Sequence, residues 1–271
     1  MKNIKLVCIC LVAFIAGCRS SIYEFSASLD DNVAANKCQY VHYDNLDAGI
    51  PSIADQIINR EGYALGFSQQ HKQPLWVTYR LTKDEVESKS VRRMGTFKTD
   101  FDVIGSAMSS DYSNSGYDRG HMAPAADMQW STNAMVESFL MSNMCPQYPS
   151  LNRHTWAYLE AEVRKYAQNE DSIYVVSGPI FTNQCLSTIG ASRVVIPDAF
   201  YKAIYDETPP EKMIAFVMLN TNLNHNIYLY ATNVAYVESL ASLNFFSSID
   251  TNKQSILKQQ CNTNDWISSR H

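Results

Sequence analysis

Hydrophobic and polar positions change period several times along this chain, and each change predicts an element. Residues 62–68 (GYALGFS) and 75–82 (LWVTYRLT) are β-rich runs around a polar turn, the pattern of a hairpin. Segment 90–100 carries Lys and Arg, and 105–116, rich in Ser, Asn and Gly, reads as a surface loop. Ser131 or Thr132 can cap a short helix running to about Met141, which Cys145-Pro146 then interrupts. Across 152–168 the spacing turns helical. Trp156, Leu159, Val163 and Tyr166 share one face, while Glu160 and Arg164 sit four apart on another. Strand patterns return at 172–177 (SIYVVS), 193–196 (RVVI), 200–205 (FYKAIY) and 213–219 (MIAFVML), with Pro179, Pro197 and Pro209-Pro210 in or beside the connections. Helices at 233–241 and 252–260 close the pattern. Strands and helices mix without regular βαβ alternation. The predicted class is therefore α+β, one domain with a central mixed or antiparallel sheet flanked by helices.

Composition adds little to the fold but something to location. With 46% hydrophobic and 18% charged residues in 271, the profile is that of an ordinary globular chain. The N-terminus departs from it. MKNIK is a short basic stretch, and the apolar run LVCICLVAFIAG after it is too short to span a bilayer comfortably. Ile15-Ala16-Gly17-Cys18 resembles the lipobox of bacterial lipoproteins, which implies removal of residues 1–18 as a signal peptide with lipid on Cys18. The expected location is an exported lipoprotein anchored in a bacterial cell envelope, its several acyl chains giving stable attachment. Residues 19–53 then read as a tether and lead-in, 54–260 as the folded domain and 261–271 as a tail.

Charge and cysteines narrow the classes further. Without residues 1–18 the chain has 20 basic and 27 acidic residues, a net of about −7. That opposes coating of nucleic acid by bulk charge and leaves room for a local basic cleft. Beyond the leader the cysteines are Cys38, Cys145, Cys185 and Cys261. In an exported chain four thiols predict two disulfides, with three possible pairings, and no C-x-x-C spacing suggests structural zinc.

Candidate chemistry concentrates in YDRGHMAPAAD, residues 117–127. Asp118 and Arg119 precede His121, Gly120 permits close backbone approach, and Pro124 ends any helix. A histidine in such a polar turn can act as a general base once a partner fixes its tautomer. Asp118 reads as a turn-former or a partner for backbone amides, because adjacent extended residues face opposite ways. No G-x-S-x-G elbow, P-loop or G-x-G-x-x-G occurs, and pairing Cys145 with His121 or His154 gives only a weaker thiol-enzyme reading.

YDRGHMAPAAD resembles the D-R-G-H signature of the DNA/RNA non-specific endonucleases. The similarity continues through Phe139 to Met144 with Pro146-Gln147, Leu151-Asn152 with Trp156 and Leu159-Glu160, then YVVSGPIF (174–181), IPDAFYKAIYD (196–206) and SLNFFSSI (242–249), covering about residues 55–250. The resemblance implies a ββα-metal nuclease acting on DNA and RNA with little sequence preference. His121 would be the general base, giving 5′-phosphate and 3′-hydroxyl ends. Asn152 would be the protein ligand of Mg²⁺, with Mn²⁺ as the alternative ion, a sparse set suited to a hard cation that keeps its waters. Arg119 would face the phosphate. Glu160 would orient a water of the ion's shell or an arginine, against the alternative of a surface pair with Arg164. Asn143 would support the histidine or its neighbourhood. From RRMGTFKTD, Arg93 or Arg92 would supply a further site arginine. A cleft lined by Arg92, Arg93, Arg119 and Arg164 would reconcile binding with the acidic net charge. The other functions consistent with these residues are a narrower phosphodiesterase and a non-catalytic nucleic-acid-binding surface lipoprotein.

Overall fold

The computed structural model describes residues 43–182 and 186–267. Eleven strands and six α-helices are defined there, and the described residues form one compact unit. The main sheet runs in the order β1 (Gln56–Asn59), β2 (Ala64–Ser68), β3 (Gln73–Thr82), β6 (Ser172–Ile180), β9 (Ala199–Asp206), β10 (Lys212–Leu219) and β11 (Ala231–Thr232), antiparallel throughout. β4 (Asp118–His121) pairs with β5 (Met144–Gln147), and β7 (Thr188–Ile189) with β8 (Val194–Val195). The helices are α1 (Lys83–Ser88), α2 (Thr132–Ser138), α3 (Ala157–Asn169), α4 (Val234–Ala241), α5 (Thr251–Leu257) and α6 (Asn264–Ile267). The α+β expectation holds, and of the two sheet types left open the antiparallel one is found.

Both faces of the sheet are buried, and strand alternation decides which core each residue enters. On β6, Ile173 and Val175 join the core under α3, while Tyr174 and Val176 join the opposite core with α4, Phe245 and Phe246. On β9, Phe200 and Ile204 point to the α3 side, and Tyr201, Ala203 and Tyr205 point away. Lys202 has the parity of Phe200 and Ile204, so a lysine occupies an inward position beneath α3. Its Nζ lies 5.0 Å from the Trp156 ring centroid.

Local rules account for the helices. The Ser131 hydroxyl accepts from Asn133 and Ala134 N–H, capping α2 at the position its sequence suggests. The predicted face of Trp156, Leu159, Val163 and Tyr166 is buried. The long helix is not uniform, since Leu151–Trp156 forms a wider π turn before α3 begins.

Several readings need correction. Residues 43–53 pack on the domain instead of leading into it: the Asn45 amide donates to the Arg60 carbonyl at 2.8 Å, and Ala48 is buried. The tail includes α6, whose Trp266 is buried 4.9 Å from the Tyr166 ring. Cys145 and Cys261 are free thiols, so two disulfides are not formed; Cys38 and Cys185 lie outside the described residues, as does Cys18. Cys145-Pro146 does more than interrupt a helix, because it lies inside β5.

Candidate active site

The signature folds as a strand. β4 pairs with β5 so that Arg119 lies opposite Pro146 and His121 opposite Met144. With the Leu151–Asn169 helix that follows, the two strands make a ββα unit. Gly120 is required by this register: a Cβ there would lie 2.6 Å from the Cβ of Gln147.

Backbone on the C-terminal side of His121 is fixed at three points. Ser177 of β6 donates its hydroxyl to the Met122 carbonyl at 2.7 Å, tying the strand to the main sheet. Met122 N–H donates to the Asn143 carbonyl at 3.1 Å. The Asn143 side chain, fully buried, accepts from Ala123 N–H and donates to the carbonyls of Ala123 and Ser138, each at 2.9 Å. Asn143 thus supports the neighbourhood of His121 through backbone.

A cleft of about 310 Å³ brings together Arg93, Asp118, Arg119, His121, Asn152 and Glu160, with Phe97 in its wall. All five residues expected to act chemically at a substrate or ion (His121, Arg119, Glu160, Arg93 and Asn152) line it. Of the two candidate arginines Arg93 lines the cleft and Arg92 does not, and Arg164 is engaged elsewhere. Its Nη1 donates to buried Asp127 at 2.8 Å, and Tyr79 donates to the other oxygen of that carboxylate at 2.8 Å. Glu160 therefore does not pair with Arg164 on a surface.

The His121 ring is 8% exposed, with the Phe139 ring edge-on at 5.2 Å and Phe97 tilted at 5.5 Å. Nε2 is enclosed and has no hydrogen-bond partner among the described residues, which leaves Nδ1 as the nitrogen open to the cleft. Burial, reinforced by the cation of Arg93, lowers the imidazole pKa to about 3. Glu160 is shifted the other way. Burial raises its carboxyl to about 7, against the pull of Lys202, Arg164 and Arg93. Lys202 itself is fully buried, its Nζ without a hydrogen-bond partner among the described residues, and burial lowers its pKa.

The two arginines are held by rings. The Arg119 guanidinium lies 5.2 Å from the Phe97 centroid and 5.6 Å from that of Tyr112, and its Nη2 donates to the Ser109 carbonyl at 2.5 Å. Arg93 stacks 5.3 Å from the Phe139 centroid.

Asp118 has a part that its sequence position did not suggest. Its Oδ2 accepts from Asn152 Nδ2 at 2.9 Å and from Arg153 Nε at 2.8 Å, and its Oδ1 accepts from Arg153 Nη2 at 2.7 Å. Burial alone would raise this carboxyl, but the bonds from Arg153 and Asn152 hold it below the usual range. A carboxylate only accepts, so the Asn152 amide is oriented with nitrogen inward. Its oxygen is left for another partner. A lone amide oxygen beside a cleft fits a hard cation that retains water, and no cluster of three His, Cys, Asp or Glu side chains among the described residues offers a closed cage. A thiol enzyme is not supported, because Cys145 is buried in the core and burial pushes its thiol well up.

Comparison with known proteins agrees with this geometry. The family model for DNA/RNA non-specific endonucleases matches residues 44–252. A nuclease of Syncephalastrum racemosum is 34% identical over 234 residues, covering 78% of this chain and 73% of that protein. Human mitochondrial endonuclease G is 31% identical over 216 residues, covering 74% and 72% respectively. A crystal structure of an EndoG/EndoGI complex superposes with a TM-score of 0.72 at 31% identity, over 76% of this chain and 91% of that one. With most of its length matched by the family model and its ββα unit in place, the chain belongs to the DNA/RNA non-specific endonuclease family.

Proposed function

We propose that this protein is a divalent-metal-dependent endonuclease that hydrolyses phosphodiester bonds of DNA and RNA with little sequence preference. The observation that carries the reading is one cleft shared by an open imidazole nitrogen, two arginines that make no ion pair among the described residues and an amide oxygen set by Asp118. With its proton on Nε2, His121 offers the Nδ1 lone pair to a water. The water oxygen then attacks phosphorus in line with the departing 3′ oxygen, which leaves with the bond pair and takes a proton from solvent, giving a 5′ phosphate and a 3′ hydroxyl.

The low basicity of His121 has a role in this scheme. An imidazolium beside Arg93 in a buried site is costly, so the histidine stays neutral until an anion arrives. A bound phosphodiester offsets the Arg93 cation and raises the affinity of Nδ1 for a proton. Arg93 and Arg119 hold the phosphate oxygens, where their guanidinium forks meet the charge that develops during attack. Asn152 would hold the ion, Mg²⁺ or Mn²⁺, and Glu160 would orient water beside it. When bound, such an ion stabilises negative charge on the phosphoryl and leaving oxygens. No group reads a base edge in this reaction, in keeping with low sequence preference.

The test is nicking of plasmid DNA and cleavage of RNA with Mg²⁺, in parallel with EDTA and with His121→Ala. Loss of the general base should cost about 10²–10⁴-fold in rate with the fold retained. Intact plasmid and RNA across Mg²⁺, Mn²⁺ and Ca²⁺ would refute the proposal. Export and anchoring at Cys18 belong to the same proposal and rest on the sequence of residues 1–18. Incorporation of labelled fatty acid, abolished in Cys18→Ala, tests them.

A further inference from the structure

Beside the catalytic cleft runs a second and larger groove, with a volume of about 730 Å³. The two adjoin at Ala157, which lines both. Ala157 and Ala161, one helical turn apart, line the groove with small side chains. One wall is His154 and Tyr158, again one turn apart, with Tyr158 46% exposed. The other wall is His225, Asn226 and Tyr228 from the segment before β11. His154 and His225 face each other with ring centroids 5.6 Å apart and planes at 90°.

That second wall is built to stay in place. The Asn226 side chain accepts from Tyr228 N–H at 3.2 Å, and the Tyr228 hydroxyl lies 3.1 Å from that of Tyr166 on α3. In a chain where 27 acidic residues outnumber 22 basic ones, none of the groove's lining residues is acidic. Arg153 sits on its rim with a side chain 65% exposed. Nε and Nη2 of that guanidinium are taken by Asp118, and its Nη1 makes no hydrogen bond among the described residues. Flat exposed rings, an acid-free lining and a free N–H edge beside a phosphodiester cleft match the chemistry of an unstacked nucleotide.

We propose that this groove takes a nucleobase of a single-stranded substrate, next to the scissile phosphate, by stacking on Tyr158 and the paired histidines, with Arg153 Nη1 on the adjoining phosphate. The proposal deepens the nuclease reading and rests on it. Stacking needs a base free of its own neighbours, so the groove favours single strands over duplexes. It imposes little sequence preference, because every base has a π face.

Cleavage of one sequence as a single strand and as a duplex tests this, in the full chain, in Tyr158→Ala and in Tyr158→Phe. Tyr236→Ala, an exposed tyrosine on α4, serves as the control. Tyr158→Ala should raise KM for the single strand about tenfold, equivalent to about 1.4 kcal/mol, with kcat little changed and the duplex KM moving less. Tyr158→Phe keeps the ring and should stay near wild type. An unchanged single-strand KM in Tyr158→Ala, an equal rise for both substrates, or a phenylalanine variant as weak as the alanine one would overturn the groove. So would a wild type that cleaves only duplex, or a Tyr158→Ala change confined to self-association in sedimentation. A wild type that cleaves neither substrate would instead sink the nuclease reading itself.

Discussion

Removing the Asp118 carboxylate should weaken the ion far more than it weakens the fold. In Asp118→Ala three hydrogen bonds disappear, two of them to Arg153 and one to Asn152. Arg153 is 65% exposed, so solvent screening leaves its pair a minor contributor to stability. The Asn152 bond to a carboxylate that is 18% exposed adds about 1.5–3 kcal/mol, less whatever water restores. A melting point lowered by a few degrees is the expected structural effect. Loss of a partner that orients a ligand, however, typically costs about 10–100-fold in metal affinity. In a plasmid-nicking assay the Mg²⁺ concentration at half-maximal rate should rise by that factor, and the rate should recover when the ion is saturating. Freed Arg153 adds a cation beside the cleft, so weaker substrate binding cannot produce the shift. Asp118→Asn, which keeps one acceptor oxygen and loses the charge, should fall between. An unchanged Mg²⁺ midpoint with a lower maximal rate would refute the idea that Asp118 acts through Asn152.

Three further outcomes follow from the same geometry. Asn143→Ala strands one backbone N–H and two carbonyls in the core and should lower stability by about 3 kcal/mol by denaturant titration. An Asn143→Ala protein as stable as wild type would contradict the clamp. His121 has a native pKa of about 3 against an ordinary 6.5, so the unfolded state binds the extra proton and stability falls as pH drops from 6.5 toward 3. Between pH 6.5 and 5 this amounts to about 1.6 kcal/mol in the metal-free protein, a loss that His121→Asn should lack in urea midpoints. Lys202→Met should leave stability unchanged or raised, since a buried ammonium without hydrogen bonds among the described residues is replaced by an apolar chain of similar length. It should also move the acid limb of activity to higher pH, because Glu160 loses the foremost charge holding its pKa down. An unmoved pH profile would show that Lys202 does not act on Glu160.

Elements with sustained periodicity were readable from sequence, and the site depended on how far each residue's partner lay along the chain. The β2–β3 hairpin, the Ser131 cap and the apolar face of α3 all announce themselves within a dozen residues. β4 did not. Four residues, all of them polar or glycine, have no alternation to betray a strand, and its register is set by Gln147 and Met144 far downstream. The role of Asp118 is hidden for the same reason, its partners Asn152 and Arg153 lying beyond any local window. Arg164 looked like a helix-surface mate for Glu160, but tertiary packing presented it with buried Asp127. Lys202 was detectable in principle: in FYKAIY it falls on the same side as Phe200 and Ile204, an inward place for a charge. The resemblance brought His121, Arg119, Asn152 and Glu160 forward together, and the fold places them in one cleft.

The ring faces that hold Arg93 and Arg119 have a thermodynamic consequence. A carboxylate partner would orient a guanidinium and cancel its charge, whereas Phe97, Tyr112 and Phe139 orient it with no ion pair to either arginine among the described residues. Side-chain freedom is therefore given up during folding, before any ligand arrives. An incoming polyanion meets both cations without a new ordering cost. Linkage then requires the reverse: nucleic acid, or inorganic phosphate at sufficient concentration, must raise the melting temperature of this protein, and salt must erode the gain.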